Sequence, residues 1–352
     1  MAAYTTIDDA GSFCNPVIYT GNGTAYGSGG NAITGVGFQP DFTWIKSRTT
    51  AEEHVLTDAV RGVTKIIRTT GTYAESTAVE GLNVFGSDGF TIGSSDQFNT
   101  NTEDYVSWNW KMGTTSGIDT TGATITPSAY SFDQTAGQSV IAYTGTGVAA
   151  TVPHGLGVAP SLIITKSLVA TQEWCVYHVE MSAAKYMFLN ETGQQATSSA
   201  YWNDVEPTSV LFSIGTAGPT NSSSAMIAYC FAEKQGYSKM ADYIGNGDAD
   251  GPFVYTGFRP AWIMCKYPNG AGYDWIINDD KRPGYNPNQN ILEANRDRVE
   301  NTNTGFKFDI LSNGFKPRAF ESNVNNDAYQ YLYTAFAESP FVNSLGVPTN
   351  AR

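Results

Sequence analysis

Gly257-Phe258-Arg259-Pro260-Ala261-Trp262-Ile263-Met264-Cys265-Lys266 decides the reading, because it is one of three versions of the same text. Gly37-Phe38-Gln39-Pro40-Asp41-Phe42-Thr43-Trp44-Ile45-Lys46 is the first, and Gly157-Val158-Ala159-Pro160-Ser161-Leu162-Ile163-Ile164-Thr165-Lys166 is the second. The Pro and the Lys each recur 120 and then 100 residues on. Proline has no N–H to donate, so it suits a strand entry and not a strand centre. The short apolar run after it, rich in β-branched and aromatic residues, reads as a buried strand.

Working outward, each copy is preceded by a tight turn: Tyr19-Thr20-Gly21-Asn22-Gly23, Tyr143-Thr144-Gly145-Thr146-Gly147 and Tyr243-Ile244-Gly245-Asn246-Gly247. Each also ends alike. Tyr105-Val106-Ser107-Trp108-Asn109-Trp110 matches Met226-Ile227-Ala228-Tyr229-Cys230-Phe231 and Tyr331-Leu332-Tyr333-Thr334-Ala335-Phe336. Val106, Trp108 and Trp110 face one way, as do Ile227, Tyr229 and Phe231, and Leu332, Thr334 and Phe336. Between these ends, Asp88-Gly89-Phe90 matches Asn313-Gly314-Phe315, and Ser213-Ile214-Gly215 is a weaker counterpart. Period-two alternation with frequent turns reads as antiparallel β, most simply a sandwich. The repeat, about 95 residues long, is domain-sized and far longer than a solenoid unit.

The expected fold is therefore all-β: three related antiparallel β-sandwich-like modules in tandem. Module one covers residues 1–112, module two 139–235 and module three 236–342. Residues 113–138, rich in Thr, Ser and Gly, form a linker or extended arm, and residues 343–352 form a short tail. The modules are expected to be separate folded bodies. Short helical turns are expected near 51–54 or 290–298.

Composition excludes several function classes. Of 352 residues, 20 are Lys or Arg and 33 are Asp or Glu, a net charge of −13. Phosphate binding needs a basic face, so nucleic acid is an unsuitable partner, and so is an anionic lipid surface. No apolar run is long enough to span a bilayer as a helix, so no membrane insertion is expected. The first eleven residues lack the basic and apolar parts of a signal peptide. Cys14, Cys175, Cys230 and Cys265 are widely spaced, which predicts free, buried thiols.

Candidate chemistry is sparse. Lys46, Lys166 and Lys266 hold one equivalent position. Asp58 with Arg61, and Asp279 with Arg282, follow the first and third of them, while the second module has His178 at the aspartate position. These groups form either a ligand-binding charge cluster or a structural ion pair that pins the strand to the next loop. Triplication favours the structural role. His54, His154 and His178 show no zinc-ligand spacing, and neither a phosphate loop nor a nucleophile elbow is present. No catalytic residue and no metal or cofactor site is assigned. Asn246, Asp248 and Asp250 are spaced like the first half of a calcium loop, but Gly257 stands at the twelfth position where a bidentate Glu belongs. A hydrated turn is the other reading. Tyr201, Trp202, Tyr273 and Tyr285 are loop aromatics that could stack on sugar rings, or close the sandwich ends or a subunit contact.

The same repeats carry a resemblance. Gly236-Tyr237-Ser238-Lys239, the Tyr243–Gly247 turn, Asp250-Gly251-Pro252-Phe253-Val254-Tyr255-Thr256-Gly257-Phe258-Arg259-Pro260-Ala261-Trp262 and Leu311-Ser312-Asn313-Gly314-Phe315-Lys316 are similar to a domain family common in marine bacteriophage genomes. His154-Gly155-Leu156-Gly157, Trp174-Cys175-Val176-Tyr177-His178 and Ala335-Phe336-Ala337-Glu338 with Pro340-Phe341 match too. The resemblance covers residues 139–352 closely and 13–112 loosely. It implies a non-enzymatic virion structural protein, assembled in the host cytoplasm and exposed on the particle surface, most simply a short tail fibre for host attachment. A capsid decoration or cement protein (a head fibre) is the alternative, and a polysaccharide-degrading spike a third. Implied partners are other virion proteins, further copies of the chain in a homo-oligomer (a trimer is favoured), and a host surface glycan or receptor.

Overall fold

The computed structural model describes residues 3–302, 305–318 and 320–349. Within them the chain is nearly all β, and the three repeats build three large antiparallel sheets on one plan. An opening strand (Cys14–Thr20, Gln138–Thr144, Ser238–Ile244) pairs with the closing strand (Asp104–Trp110, Ala225–Phe231, Gln330–Pro340). The closing strand's other edge takes the lysine-bearing strand (Phe42–Ser47, Leu162–Ser167, Phe258–Lys266). Register is preserved: Trp44 lies opposite Trp108, Ile164 opposite Tyr229, and Met264 opposite Thr334. The next strand (Val55–Asp58, Cys175–His178, Ile276–Asp279) extends each sheet.

Each large sheet is buried on both faces. A small sheet covers the outer face: Asn31–Thr34, Gly89–Ile92 and Leu82–Gly86 in module one, Ala150–Pro153 with Leu211–Ile214 in module two, and Val254–Tyr255, Gly314–Pro317 and Phe308–Leu311 in module three. Ile33, Phe90 and Ile92 pack there on Ile45 and Tyr105, and Val152, Phe212 and Ile214 pack on Ile163 and Cys230. Every module is thus sandwich-like. Burial on both sides explains why the lysine-bearing strands read as continuous apolar runs and not as alternation. All six residues of the first two are buried.

The inner faces meet one another. Phe42, Trp44, Trp108 and Trp110 of module one share a single core with Leu162, Ile164, Tyr229 and Phe231 of module two and Trp262, Met264 and Phe336 of module three. Ring centroids of Trp110 and Phe231 are 6.1 Å apart, Trp110 and Trp262 5.6 Å, and Phe231 and Phe336 5.3 Å. The expectation of separate folded bodies is corrected here. Three aromatic-rich faces that no small sheet covers can leave water only by packing on each other.

Polar contacts close the same ring. Tyr229 Oη donates to Asp58 Oδ2 at 2.8 Å, tying module two to one, and Trp108 Nε1 donates to Asp279 Oδ2 at 2.9 Å, tying one to three. His178 Nε2 lies 3.1 Å from the Tyr333 carbonyl, tying two to three. A second cycle repeats this. Trp174 Nε1 donates to the Arg68 carbonyl at 2.8 Å, and Trp275 Nε1 to that of Phe188 at 3.0 Å. His54 occupies the equivalent position and faces the Glu293 main chain, although its Nε2 makes no full hydrogen bond. The three modules therefore stand around a pseudo-threefold axis within one chain.

Two further expectations are revised. Residues 113–138 are more than a linker: Ala129–Asp133 is an edge strand paired with Gln138–Thr144, and Ile125 is buried in the module-two core. Asp41 accepts from Met112 N at 2.8 Å and from Ser131 Oγ at 3.1 Å, which holds both ends of this arm. The stretches 51–54 and 290–298 are not helical, and the short α-turns are Asp96–Asn99, Ser199–Trp202 and Gly218–Asn221 instead. The tail is tied down as well: Ser344 donates through N and Oγ to Asp8, both at 2.6 Å. Its last three residues lie outside the described ones. All four cysteines are buried and free.

Candidate functional site

The triplicated charged groups are structural in geometry. Lys46 Nζ donates to the carbonyls of Ser47 at 2.6 Å and Thr50 at 3.2 Å. Lys166 Nζ donates to Ser167 O at 2.8 Å, and Lys266 Nζ to Tyr273 O at 2.6 Å. All three are buried, and desolvation pushes each pKa down to about 8. They pair with carbonyls and not with Asp58 or Asp279, so the expected ion pair is corrected. Those aspartates pair with the arginine three residues on, Arg61 and Arg282, each at 2.6 Å from Nε. Module two replaces the pair by His178 and Met181, a neutral solution in the same place.

The histidines are likewise consumed. His54 Nδ1 accepts from Trp44 Nε1 at 2.9 Å. His154 Nδ1 accepts from Leu156 N at 3.2 Å, while its Nε2 lies 3.1 Å from the Thr208 carbonyl. Burial lowers the pKa of His154 and of His178 to about 4. Unfolded histidine protonates near 6.5, so the stability these rings contribute is present above pH 6.5 and is lost as pH falls toward 4. Buried Asp280 shifts the opposite way in that window, so the effect is read as a difference. Between pH 7.5 and 4.5, wild type is expected to lose roughly 2–3 kcal/mol more than His178→Gln in urea unfolding. Equal losses would contradict this.

The Tyr-x-Gly-x-Gly turns have a shared latch. The hydroxyls of Tyr19, Tyr143 and Tyr243 donate to the carbonyls of Phe98, Thr220 and Val324 at 2.9, 2.6 and 2.7 Å. The next residue in each case is a buried asparagine, Asn99, Asn221 or Asn325, whose Oδ1 accepts from the backbone N of Asn22, Thr146 or Asn246. These asparagines escaped notice in the sequence; their signal is an Asn four or five residues ahead of each closing strand. The first glycine of the turn presses on this backbone: a Cβ on Gly145 would stand 2.0 Å from the Ser222 carbonyl oxygen. Gly145→Ala is expected to cost on the order of 1–3 kcal/mol, measured by chemical denaturation. A neutral effect would refute the latch.

The half calcium loop is spent on the same turn. Asn246 Oδ1 accepts from Asp248 N at 3.1 Å, and Asp248 Oδ1 from Asp250 N at 2.8 Å. Asp250 Oδ1 pairs with Lys316 Nζ at 2.7 Å and with Arg318 Nη1 at 3.0 Å. Two cations already neutralise that carboxylate, and among the described residues no group of three ligating side chains gathers.

The four aromatics separate. Trp202 is 2 % exposed and packs edge-on against Tyr177, so its reading as a surface residue is corrected; the Ser199–Trp202 turn points it into the core. Tyr201 stacks on Tyr186 at 3.5 Å, and Tyr273 joins Tyr267 and Tyr329. Tyr285 alone of the four stands free, at 74 % exposed.

Tyr285 belongs to a loop that only module three elaborates. From Asp279 to the next strand, Leu292–Glu293, the chain takes a longer path than from Asp58 to Lys65–Arg68 or from His178 to Lys185–Phe188. Asn288 anchors the loop by exchanging main-chain bonds with Phe308 at 2.6 and 2.8 Å and accepting from Asn278 Nδ2 at 2.9 Å. Asn286 clamps the Ile310 main chain through both side-chain atoms, at 2.8 and 2.9 Å. Between loop and strand lies a hollow of about 60 Å³ walled by Arg259, Asp280, Gly284, Tyr285, Asn286, Asn288 and Ile310. Asn286 also borders an open cleft of about 460 Å³ with Ala249, Pro287, Lys307, Asp309 and Arg318. The structure thus brings Tyr285 and the 246–251 turn to one face, which the sequence had kept apart.

Asp280 is the unusual group of this face. Its Oδ2 meets Lys281 Nζ at 3.3 Å, but its Oδ1 is buried without a hydrogen-bond partner. Burial pushes its carboxyl up to about 7, against the attraction of Lys281. Arg259 is held by Glu338 and by the Ile310 carbonyl at 3.0 Å, so it shapes the wall.

One family model matches residues 9–340, through all three modules, and its description is Domain of unknown function (DUF7483). The chain belongs to the DUF7483 family. No curated protein matches it. In this DUF7483 chain the match begins before the first opening strand and runs to the end of the last closing strand, the extent of the shared core.

Proposed function

We propose that this protein is a non-enzymatic structural component of a bacteriophage particle surface, a short tail fibre that attaches to host cells. The resemblance of its repeats to a marine phage domain family supports the particle assignment. One structural observation carries the binding role: the buried titratable groups of all three modules hold the ring together, while the 280–291 loop presents an exposed aromatic and a cleft. Loops fixed on a rigid scaffold are where binding functions concentrate.

On this reading the partners are other virion proteins and a host surface glycan or receptor, and the fibre is a homotrimer built from bodies that are already pseudo-threefold. Light scattering of the purified chain is then expected to give three times the chain mass. Fluorescently labelled protein is expected to coat cells of a susceptible host strain without releasing reducing ends from its polysaccharide. Failure to coat any host strain, together with binding to isolated capsids, would replace attachment by capsid decoration. Release of reducing ends would replace it by an enzymatic spike.

A further inference from the structure

We infer that the hollow around Asp280 and the cleft beside it form a saccharide-binding site, in which a ring hydroxyl meets the Asp280 carboxyl in the wall of the hollow and the sugar ring lies against Tyr285. This rests on the attachment reading for its biological sense, but not for its chemistry. That carboxyl keeps one oxygen without a hydrogen-bond partner, an arrangement that costs free energy and that a ligand donor reaching the carboxyl would relieve. The hollow, at about 60 Å³, takes a hydroxyl or hydroxymethyl group and is too small for a bulky apolar side chain.

A metal ion is a poor occupant. Asp280 is the single carboxylate of the hollow, and Lys281 already sits on its other oxygen. Asn286 and Asn288 each donate once to main chain, to the Ile310 and Asp279 carbonyls, so the walls are held in place before a ligand arrives. Rigidity lowers the ordering cost of binding. Tyr285, 74 % exposed at the rim, offers an open ring face of the kind on which sugar C–H groups pack. The adjoining cleft, with Lys307, Asp309 and Arg318 on its walls, leaves room for a second polar ring.

The test is saturation-transfer NMR on the full chain with six probes: glucose, galactose, N-acetylglucosamine, rhamnose, glucuronate and galacturonate, as free sugars and as their reducing disaccharides. At least one is expected to show transfer. Tyr285→Ala, an exposed change that leaves the fold intact, is expected to weaken the binding tenfold or more, and Asp280→Asn to weaken it also, with circular dichroism confirming that both variants are folded. Absence of transfer from every probe, or transfer unchanged in both folded variants, overturns the site. Host coating by labelled Tyr285→Ala separates the two proposals. Coating equal to wild type removes the site from host attachment and leaves attachment standing, whereas saccharide binding without any coating by wild type retains the site and removes attachment.

Discussion

Arg282→Met is expected to destabilise the protein by about 3–5 kcal/mol, the usual cost of removing one partner from a buried ion pair. The Arg282 side chain is 0 % exposed. It donates from Nε to Asp279 Oδ2 at 2.6 Å and from Nη2 to the Ile277 carbonyl at 3.0 Å, and it lies 5.8 Å over the Trp108 ring of module one. Its loss strands a carboxylate that is also the acceptor for Trp108 Nε1. Glu300, which Arg282 Nη1 meets at 3.3 Å, suffers less, because Arg48 keeps it in a two-pronged pair at 2.9 and 3.0 Å. The second module shows the way out, since His178 and Met181 fill the equivalent positions without charge. Asp279→His with Arg282→Met is therefore expected to recover most of the loss, and a double-mutant cycle in urea measures the coupling. A single-variant cost below 1 kcal/mol, or no recovery in the double variant, would contradict this account.

Trp110→Ala should be comparably severe, about 3–5 kcal/mol for an aromatic removed from a well-packed core, and its effect should cross module boundaries. Trp110 is a module-one residue, 1 % exposed, whose ring centroid lies 4.9 Å from Phe42, 6.1 Å from Phe231 and 5.6 Å from both Trp262 and Phe336. The void it leaves opens onto all three sheets. Cys230 of module two and Cys265 of module three are buried free thiols, and their labelling by a thiol reagent reports local opening. Both are expected to react faster in Trp110→Ala than in wild type. Faster reaction of Cys14 alone would mean that the modules are energetically separate.

Much of the architecture is legible in the chain. The Pro-to-Lys text locates three equivalent strands, and the period-two face of Val106, Trp108 and Trp110 is the inward one. What that face touches is not legible, because alternation reports that a side chain is buried but not by what. The lysines mislead for a related reason. A sequence displays Asp58 as a conspicuous partner for Lys46, whereas the backbone carbonyls of Ser47 and Thr50 that hold it are invisible there. Trp202 reads as a loop residue in the sequence, whereas one helical turn points it inward. Asp280 is one of 33 acidic residues, and nothing local marks it. The available clue is the longer Pro- and Asn-rich path after Asp279, which the other two copies lack.

Calorimetric unfolding of the whole chain tests the central claim, that three copied sheets fold as one body around a common core. One transition is predicted, with a calorimetric enthalpy equal to the van't Hoff value, because no sheet can keep its inner face dry once another leaves. Two or three resolved transitions, each carrying a module's share of the heat, would contradict it.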